Sequence, residues 1–220
     1  IRPTLAAAES VNFVSTRNLE VTRRHLGIAL PNARVIQNPL RWREADTSPW
    51  PGGADACLAT VSRLDEGKGV HLLLEALASL TGWRLNIYGH GPLEARLREI
   101  ATQPALRDRV HFRGYVKELR AIWAENHLMV SPAIDDGVPM TIPEAMLCQR
   151  PVLATRVGGA GDWLRDNETG FLSAPADAAA LAATLARALA GRDRWPAMGI
   201  AAQAFARSHY RADDHLLLIN

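Results

Sequence analysis

Two carboxylates, Asp136 and Glu144, stand eight positions apart in the segment 135–146. Gly137 leaves the backbone between them bare, and the helical pattern that soon follows predicts free N–H groups that bind anions. Glu144 falls in the first turns of that helix, where side chains lean toward the N-terminus. Because a carboxylate accepts two hydroxyl hydrogen bonds, the two acids could flank one polyhydroxylated ligand. The alternative is that both acids only stabilise the helix start through its dipole.

Two cations, Arg63 and Lys68, follow a short apolar strand pattern. Lys68 opens the next helix, where a cation is unfavourable for the helix dipole, so its position favours an anion nearby. The glycines on either side of Lys68 permit the backbone to approach such an anion closely. Position alone leaves open the alternative of two solvated surface charges beside acidic neighbours.

Three glycine-containing turns follow other strand patterns. They comprise 89–92, with Gly89, His90 and Gly91, then 113–116, with Arg113 and Tyr115, and finally 157–162, with Gly158 and Gly159. Bare backbone at these turns could approach a ligand closely. Each turn alone is also compatible with an ordinary strand-to-helix connection, and His90 is more typical of a turn residue than of a catalyst.

The elements that must position these residues alternate between strand and helix. Strand patterns occur at 11–14, 34–37, 57–61, 83–88, 110–112, 127–131, 151–154 and 171–172. Helical patterns occur at 70–80, 93–102, 119–124, 142–147, 178–190 and 195–208. This alternation predicts an α/β fold with a doubly wound parallel sheet. Ligands bind outside the carboxyl ends of the strands in such sheets, where the candidate residues fall.

Composition excludes several classes of protein. The 25 basic and 23 acidic residues among 220 give a net charge of +2, which does not favour nucleic-acid binding. No apolar run approaches the ~20 residues of a membrane span, and no signal peptide is visible at Ile1. Cys57 and Cys148 stand in apolar surroundings, which is typical of reduced thiols in a cytosolic protein.

The chain divides by pattern into four segments. Residues 1–40 are typical of the end of another unit with a hinge strand, in which Ser15 or Thr16 caps a helix that ends at Gly27. The Pro- and Gly-rich stretch 41–55 is a linker, 56–208 form the Rossmann-like domain, and 209–220 begin a C-terminal helix. We expect the chain to be part of a longer protein with an N-terminal domain upstream.

Together, the order and spacing of these motifs resemble glycosyltransferase family 4. The motifs are S-R-L at 62–64 with K-G at 68–69, G-H-G-P at 89–92, F-R-G-Y at 112–115, D-G-V-P and E-A-M within 136–146, C-Q-R-P-V at 148–152, and the run from G-G-A-G-D at 158 to G-F-L at 172. The family hallmark is two glutamates separated by seven residues in the same setting. The resemblance covers nearly the whole chain and implies the donor-binding C-terminal half of a GT-B enzyme.

The resemblance also implies roles for individual residues. Arg63 and Lys68 hold the donor diphosphate, Glu144 binds the ribose hydroxyls and Asp136 binds the transferred sugar. These four are the implied catalytic residues. The implied substrate-binding residues are Gly89, Gly91, Arg113, Tyr115, Gly137, Val138, Pro139, Met140, Thr141, Ile142, Gly158 and Gly159. Within this set, the loop at 113–116 contacts the base, and backbone N–H groups of 138–142 add to the phosphate clamp.

Besides Ser62, which stands where the family usually has glycine, the chain departs from the family pattern at three positions. Asp136 and Asp162 replace the usual glutamates, which shortens each side chain by one methylene, and Pro143 directly precedes Glu144. Because proline is tolerated only in the first turn of a helix, the helix must begin near Ile142 or Pro143. Too few oxygen ligands converge in the sequence to predict a metal site. Arg63, Lys68 and a helix N-terminus are expected to replace a metal electrostatically.

The resemblance implies a retaining hexosyltransferase that uses a UDP-, GDP- or ADP-sugar as substrate and needs no further cofactor. Its acceptor would be a glycan or a lipid-linked sugar, its location cytoplasmic, with a peripheral membrane contact in the full protein left open. The fragment alone is expected to transfer sugar poorly. The alternatives are a non-catalytic nucleotide-sugar-binding module and another GT-B enzyme such as an epimerase. A phosphorylase needs a lysine that binds its cofactor. The sequence contains only two lysines, so Lys117 is the one candidate besides Lys68.

Overall fold

The computed structural model describes residues 1–40, 48–53, 55–174 and 176–211. Most of the predicted linker and of the predicted C-terminal helix therefore lies outside the described residues. The strands are β1 Val11–Phe13, β2 Ala33–Val35, β3 Ala56–Val61, β4 Trp83–Tyr88, β5 Val110–Gly114, β6 Leu128–Ser131, β7 Val152–Thr155 and β8 Gly170–Ser173. The helices are α1 Arg2–Ala7, α2 Thr16–Leu26, α3 Val70–Ala78, α4 Glu94–Ile100, α5 Leu119–Glu125, α6 Thr141–Leu147, α7 Ala160–Trp163, α8 Ala178–Ala190 and α9 Trp195–His209.

Six of the strands form one parallel sheet in the order β5-β4-β3-β6-β7-β8. The chain winds outward from β3 to β5, then returns to the middle and winds outward again from β6 to β8. This is the strand order of the Rossmann fold, with its topological switch point between β3 and β6. The predicted doubly wound α/β fold is confirmed. The switch point is also where ligands bind in such sheets.

The sheet buries apolar side chains on both faces. Along β3, Leu58 packs with α3 and α8, and Ala59 packs on the opposite face with α6 and α9. This alternation follows from the two-residue repeat of a strand. Both residues are fully buried, as expected for a parallel sheet covered by helices on both faces. The result is a rigid platform that fixes where each strand ends.

The N-terminal segment forms a separate two-stranded parallel sheet, in which β1 pairs with β2. The predicted caps of the helix between these strands are confirmed. The Ser15 hydroxyl accepts a hydrogen bond from the Asn18 N–H, and Gly27 ends α2 with φ +62°. The Asp162 carboxylate accepts a hydrogen bond of 3.0 Å from the Thr16 N–H. The first turn of α2 is thus hydrogen-bonded to α7, the helix that follows β7.

Some element boundaries differ from the sequence prediction. β5 continues to Gly114, two residues beyond its predicted end, so Arg113 is a strand residue and not a loop residue. β2 ends at Val35, whereas a strand was predicted as far as residue 37. The short helices α1 and α7 were not predicted, and four- and six-residue segments are too short to show a helical period. In the described ranges, every helix is too short or too polar to cross a lipid bilayer.

Candidate functional site

Two neighbouring cavities open at the carboxyl ends of the central strands. The main cavity has a volume of about 640 Å³ and lies among the loops that follow β3, β4, β5 and β6. The adjoining cavity, of about 220 Å³, lies between the loops after β3 and β6. Val61, Ser62, Met140 and Thr141 belong to the walls of both. The two cavities therefore form one continuous site at the switch point of the sheet.

The structure brings ten of the sixteen predicted residues to these walls. Arg63, Gly89, Tyr115, Met140, Thr141 and Glu144 line the main cavity. Lys68, Asp136, Val138 and Pro139 line the adjoining cavity, together with Met140 and Thr141. All four residues that the family resemblance implies to be catalytic are included.

Lys68 and Asp136 form an ion pair of 2.8 Å between Nζ and Oδ2. Their side chains are 27% and 14% exposed, respectively, so water screens the pair only partly. The other carboxylate oxygen of Asp136, Oδ1, accepts a hydrogen bond of 2.8 Å from the Gly137 N–H. Both oxygens of Asp136 are thus engaged, and its side chain is held in one orientation.

The glycines beside Lys68 explain why it meets Asp136. The carbonyl oxygen of Gly67 accepts hydrogen bonds from the N–H groups of Ile134 and Asp135, at 2.8 and 3.0 Å. A Cβ at Gly69, where φ is +63°, would lie only 2.1 Å from the carbonyl oxygen of Pro132. The close backbone approach predicted for these glycines is therefore to the loop after β6. It places the Lys68 side chain over Asp136.

Glu144 lies in the first turn of α6 with only 8% of its surface exposed, on the wall of the main cavity. The helix begins at Thr141, so Pro143 falls in its first turn, where a missing N–H costs no hydrogen bond. The predicted position of Glu144 near the helix start is confirmed. A buried carboxylate on a cavity wall can accept hydrogen bonds from hydroxyl groups of a ligand.

The predicted backbone clamp at the start of α6 is smaller than expected. The Ile142 N–H already donates to the Pro139 carbonyl oxygen at 3.0 Å, and the Ile142 side chain is fully buried in the core. Pro139 has no N–H. The helix has only seven residues, which also limits its dipole. The predicted clamp therefore lacks the N–H groups of Pro139 and Ile142.

Arg63 lies at the mouth of the main cavity. Its side chain is 72% exposed, and its Nε is 3.4 Å from a carboxylate oxygen of Asp65. An ion pair this exposed contributes little to stability. The guanidinium can therefore turn toward an anionic ligand at small cost.

The family model described as "Glycosyl transferases group 1" matches residues 56–191. The chain belongs to this family of transferase enzymes. The matched range holds both cavities and the whole six-stranded sheet.

Two curated relatives illustrate the similarity. The chain is 30% identical over 142 residues to the amylovoran biosynthesis glycosyltransferase AmsK of Erwinia amylovora, which covers 59% of this chain and 35% of AmsK. It is 30% identical over 180 residues to the glycogen synthase of Mycobacterium tuberculosis, which covers 78% of this chain and 43% of that protein. The chain spans less than half the length of these relatives.

Among solved structures, Anabaena Alr3699/HepE in complex with UDP and glucose superposes with a TM-score of 0.81. The sequences are 21% identical, and the superposition covers 96% of this chain and 62% of the Anabaena protein. At this identity the likeness shows the fold alone, which is that of the GT-B glycosyltransferases.

The structure places six predicted residues of this group 1 domain away from both cavities. They are Gly91, Arg113, Gly137, Ile142, Gly158 and Gly159. A Cβ at Gly91 would lie 2.3 Å from the Leu64 carbonyl oxygen, and one at Gly158 would lie 2.1 Å from that of Gly137. These glycines thus permit backbone to pack on backbone. Their predicted contact with a ligand stays a prediction.

Arg113 lies at a different cavity of about 330 Å³, which it lines with His111 and Asn86. Its Nε donates to the Asn86 side-chain oxygen at 2.9 Å, and one of its terminal nitrogens is 3.7 Å from Glu125. Arg113 stands where the register between β5 and β4 shifts, so strand alternation does not fix its direction, but it lines this cavity together with His111. The base contact implied for the loop 113–116 stays a prediction, and the side chain of Arg113 itself lies at this other cavity.

Sequence reasoning missed much of one wall of the main cavity. These residues are Tyr88 and His90, at the end of β4 and in the loop after it, and the run from Lys117 to Arg120 with Ile122. The run extends the loop after β5 into α5, and a search of that loop beyond residue 116 could have found it. Burial raises the pKa of the Tyr88 hydroxyl, which accepts a hydrogen bond of 3.0 Å from Asn126. Among the described residues, no three His, Cys, Asp or Glu side chains are grouped so as to hold a metal ion.

Proposed function

We propose that this chain is the donor-binding half of a retaining glycosyltransferase of family 4. It binds a UDP-, GDP- or ADP-sugar and transfers the hexose to a glycan or lipid-linked acceptor. The observation that carries the proposal is the pair of connected cavities at the switch point, with Arg63, Lys68, Asp136 and Glu144 on their walls. Their volumes suit a ligand of nucleotide-sugar size.

The donor occupies both cavities, with different groups in each. The nucleoside occupies the larger cavity, with the base against the wall that begins at Tyr115 and the ribose hydroxyls on Glu144. The diphosphate lies at the junction, between Arg63 and Lys68. The transferred sugar then enters the smaller cavity, next to Asp136. Each group of the donor meets side chains of matching chemistry in this arrangement.

The chemistry follows from where charge develops. As the glycosidic bond breaks, negative charge accumulates on the departing diphosphate, and fixed cations at that point stabilise the transition state. Arg63 and Lys68 are the cations that flank the junction of the two cavities, so we propose that the reaction needs no metal ion. Retention of configuration follows from attack by the acceptor on the face that the diphosphate leaves, without a covalent enzyme intermediate.

The relatives support the substrate class. Anabaena Alr3699/HepE forms a complex with UDP and glucose, and AmsK is named for amylovoran biosynthesis. Because the chain spans less than half of its relatives, we propose that an N-terminal domain supplies the acceptor site. We further propose a cytoplasmic enzyme that meets its acceptor at the inner face of the membrane.

The proposal is tested by a thermal-shift titration with UDP, GDP and ADP, in magnesium and in chelator. A ligand at 100 times its Kd adds ~2.7 kcal/mol of stability, or about 5–10 °C for a domain of this size. Lys68→Gln removes the charge but keeps an amide that can donate to Asp136. Because loss of one charged phosphate contact costs about 2–5 kcal/mol, it should weaken binding at least ~25-fold.

The matched control is Arg107→Gln, which removes an exposed cation outside both cavities. A shift that survives chelator, distinguishes the bases and is reduced only by Lys68→Gln supports the proposal. A shift that requires magnesium would contradict metal independence. Absence of any shift, or equal shifts in both variants, would contradict the phosphate site. Sugar transfer is then assayed with the upstream half restored.

A further inference from the structure

His90 joins two of the loops that form the main cavity. The side chain stands after β4, and its Nε2 accepts a hydrogen bond of 3.3 Å from the backbone N–H of Tyr115, which follows β5. The backbone bond next to it runs from the Gly89 N–H to the Gly114 carbonyl oxygen, at 2.8 Å. The imidazole therefore continues the pairing of β4 and β5 beyond the last backbone hydrogen bond between them.

The protonation pattern of the ring follows from its partners. A backbone N–H can only donate, so Nε2 must be the unprotonated nitrogen of a neutral imidazole. The proton then resides on Nδ1, which donates to Glu94 Oε2 at 2.9 Å. Arg98 donates to the other carboxylate oxygen of Glu94 at 2.8 Å. Hydrogen bonds from His90 and Arg98 hold the pKa of the Glu94 carboxyl below its usual value.

The loop that His90 holds has an unusual backbone. Gly114 adopts φ +67°, which residues with a side chain rarely tolerate. A Cβ there would lie 3.2 Å from Cε1 of His90, so the glycine packs directly against the ring. Tyr115 follows with its side chain 70% exposed at the cavity wall. The peptide group between Gly114 and Tyr115 is thus held at both ends, by the Gly89 N–H at its carbonyl oxygen and by His90 at its N–H.

We propose that His90 is a positioning residue that sets the conformation of the loop beginning at Tyr115, and through it the affinity for the nucleoside part of the donor. The inference rests on the proposed function, in which that loop contacts the base. It assigns His90 no contact with the diphosphate. Loss of the Nε2 acceptor should therefore weaken nucleotide binding and leave pyrophosphate binding unchanged.

Two substitutions separate the functions of the two ring nitrogens. In His90→Asn, the amide nitrogen stands near the position of Nδ1 and can still donate to Glu94, but nothing reaches Tyr115. In His90→Gln, the longer side chain can place its oxygen near the position of Nε2 and accept from the Tyr115 N–H. Because the His90 side chain is 62% exposed, water replaces part of the lost bond. We expect His90→Asn to weaken binding about three- to tenfold.

The experiment measures the Kd of UDP, GDP, ADP and inorganic pyrophosphate by calorimetry for the wild-type chain and both variants. Weaker nucleoside diphosphate binding in His90→Asn, recovery in His90→Gln and constant pyrophosphate binding support the inference. Unchanged nucleotide binding in His90→Asn, or an equal loss for pyrophosphate, overturns it. A wild-type chain that binds neither nucleotides nor pyrophosphate overturns the proposed function instead.

Amide hydrogen exchange tests the same geometry without any ligand. The Tyr115 amide should exchange slowly in the wild type and in His90→Gln, and faster in His90→Asn. An equal exchange rate in all three proteins would show that His90 does not hold the loop, whatever the nucleotide affinities are.

Discussion

Gly158 supports the loop that carries Asp136, and we predict that Gly158→Ala displaces this loop. Gly158 has φ +52°, and a Cβ there would lie 2.1 Å from the carbonyl oxygen of Gly137 and 2.3 Å from that of Asp136. The neighbouring Gly159 N–H also donates to the Gly137 carbonyl oxygen. Both close contacts are with backbone atoms, so a change of rotamer cannot relieve them. The loop after β6 must move away.

The expected cost has two parts. Placing a residue with a side chain in the left-handed region costs roughly 1–2 kcal/mol. Forcing packed backbone apart to admit a methyl group costs about 1–3 kcal/mol more. The sum of about 2–5 kcal/mol should lower the Tm by roughly 5–15 °C in a chain of this length. Because the displaced loop carries Asp136, the ion pair with Lys68 should lengthen, and nucleotide binding should weaken as well.

The assay is thermal and urea unfolding of the variant, with and without saturating nucleoside diphosphate. Gly161→Ala is the matched control, since Gly161 lies in α7 of the same glycine-rich run and has no atom within 4 Å of an added Cβ. That control should unfold like the wild type or be up to ~1 kcal/mol more stable. A Gly158→Ala protein with wild-type Tm and wild-type nucleotide affinity would refute the reasoning.

Two further predictions concern buried polar groups on the side of the sheet that carries α5 and α6. Arg150 is fully buried, which lowers its pKa to about 10, and its Nε donates to the carbonyl oxygens of Trp123 and Asn126. Arg150→Met leaves these acceptors unpaired, so the free energy of unfolding measured in urea should fall by about 3–5 kcal/mol. Burial lowers the pKa of His127, whose Nδ1 accepts from the Cys57 N–H. As pH decreases, His127 is therefore protonated in the unfolded chain before it is protonated in the folded chain, and the free energy of unfolding should fall as pH decreases through ~6.5. Urea unfolding at pH 8 and pH 5.5 measures this fall, which should be smaller in His127→Asn.

Strong periodicity made most of the fold predictable. The strand at Trp83–Tyr88 and the helix at Ala178–Ala190 have the bounds that the sequence indicated. Their apolar patterns are long and end at turn signals, so tertiary contacts did not shift where these elements begin and end. β5 shows the limit, because its last two residues, Arg113 and Gly114, carry no apolar pattern. Only the pairing of Gly114 with Tyr88, after a register shift at Arg113, extends the strand to include them.

The general location of the candidate site was predictable, because ligands bind at the carboxyl ends of the strands in such sheets. This rule identifies the loops that surround a site, but it does not identify which atoms in them are in contact. It brought Arg63, Lys68, Asp136 and Glu144 into one region. It could not decide what each glycine approaches. A glycine in a turn indicates only that something lies close, and at Gly69 and Gly158 this is a carbonyl oxygen of the loop after β6. That distinction depends on distances between segments remote in sequence.

The Lys68–Asp136 pair changes how the site must work. The family resemblance implies that the two side chains bind different parts of the donor, but in the structure they contact each other. The Lys68 ammonium has three N–H donors, of which the ion pair uses one. The Asp136 carboxylate has about four acceptor positions, of which Lys68 and the Gly137 N–H use two. The pair can thus bind phosphate and sugar hydroxyls without breaking. As a unit it is neutral, so under the proposed function we expect Arg63, at the cavity mouth, to supply much of the net positive charge at the diphosphate. We then expect the shorter Asp136 to orient Lys68 more than to reach the sugar.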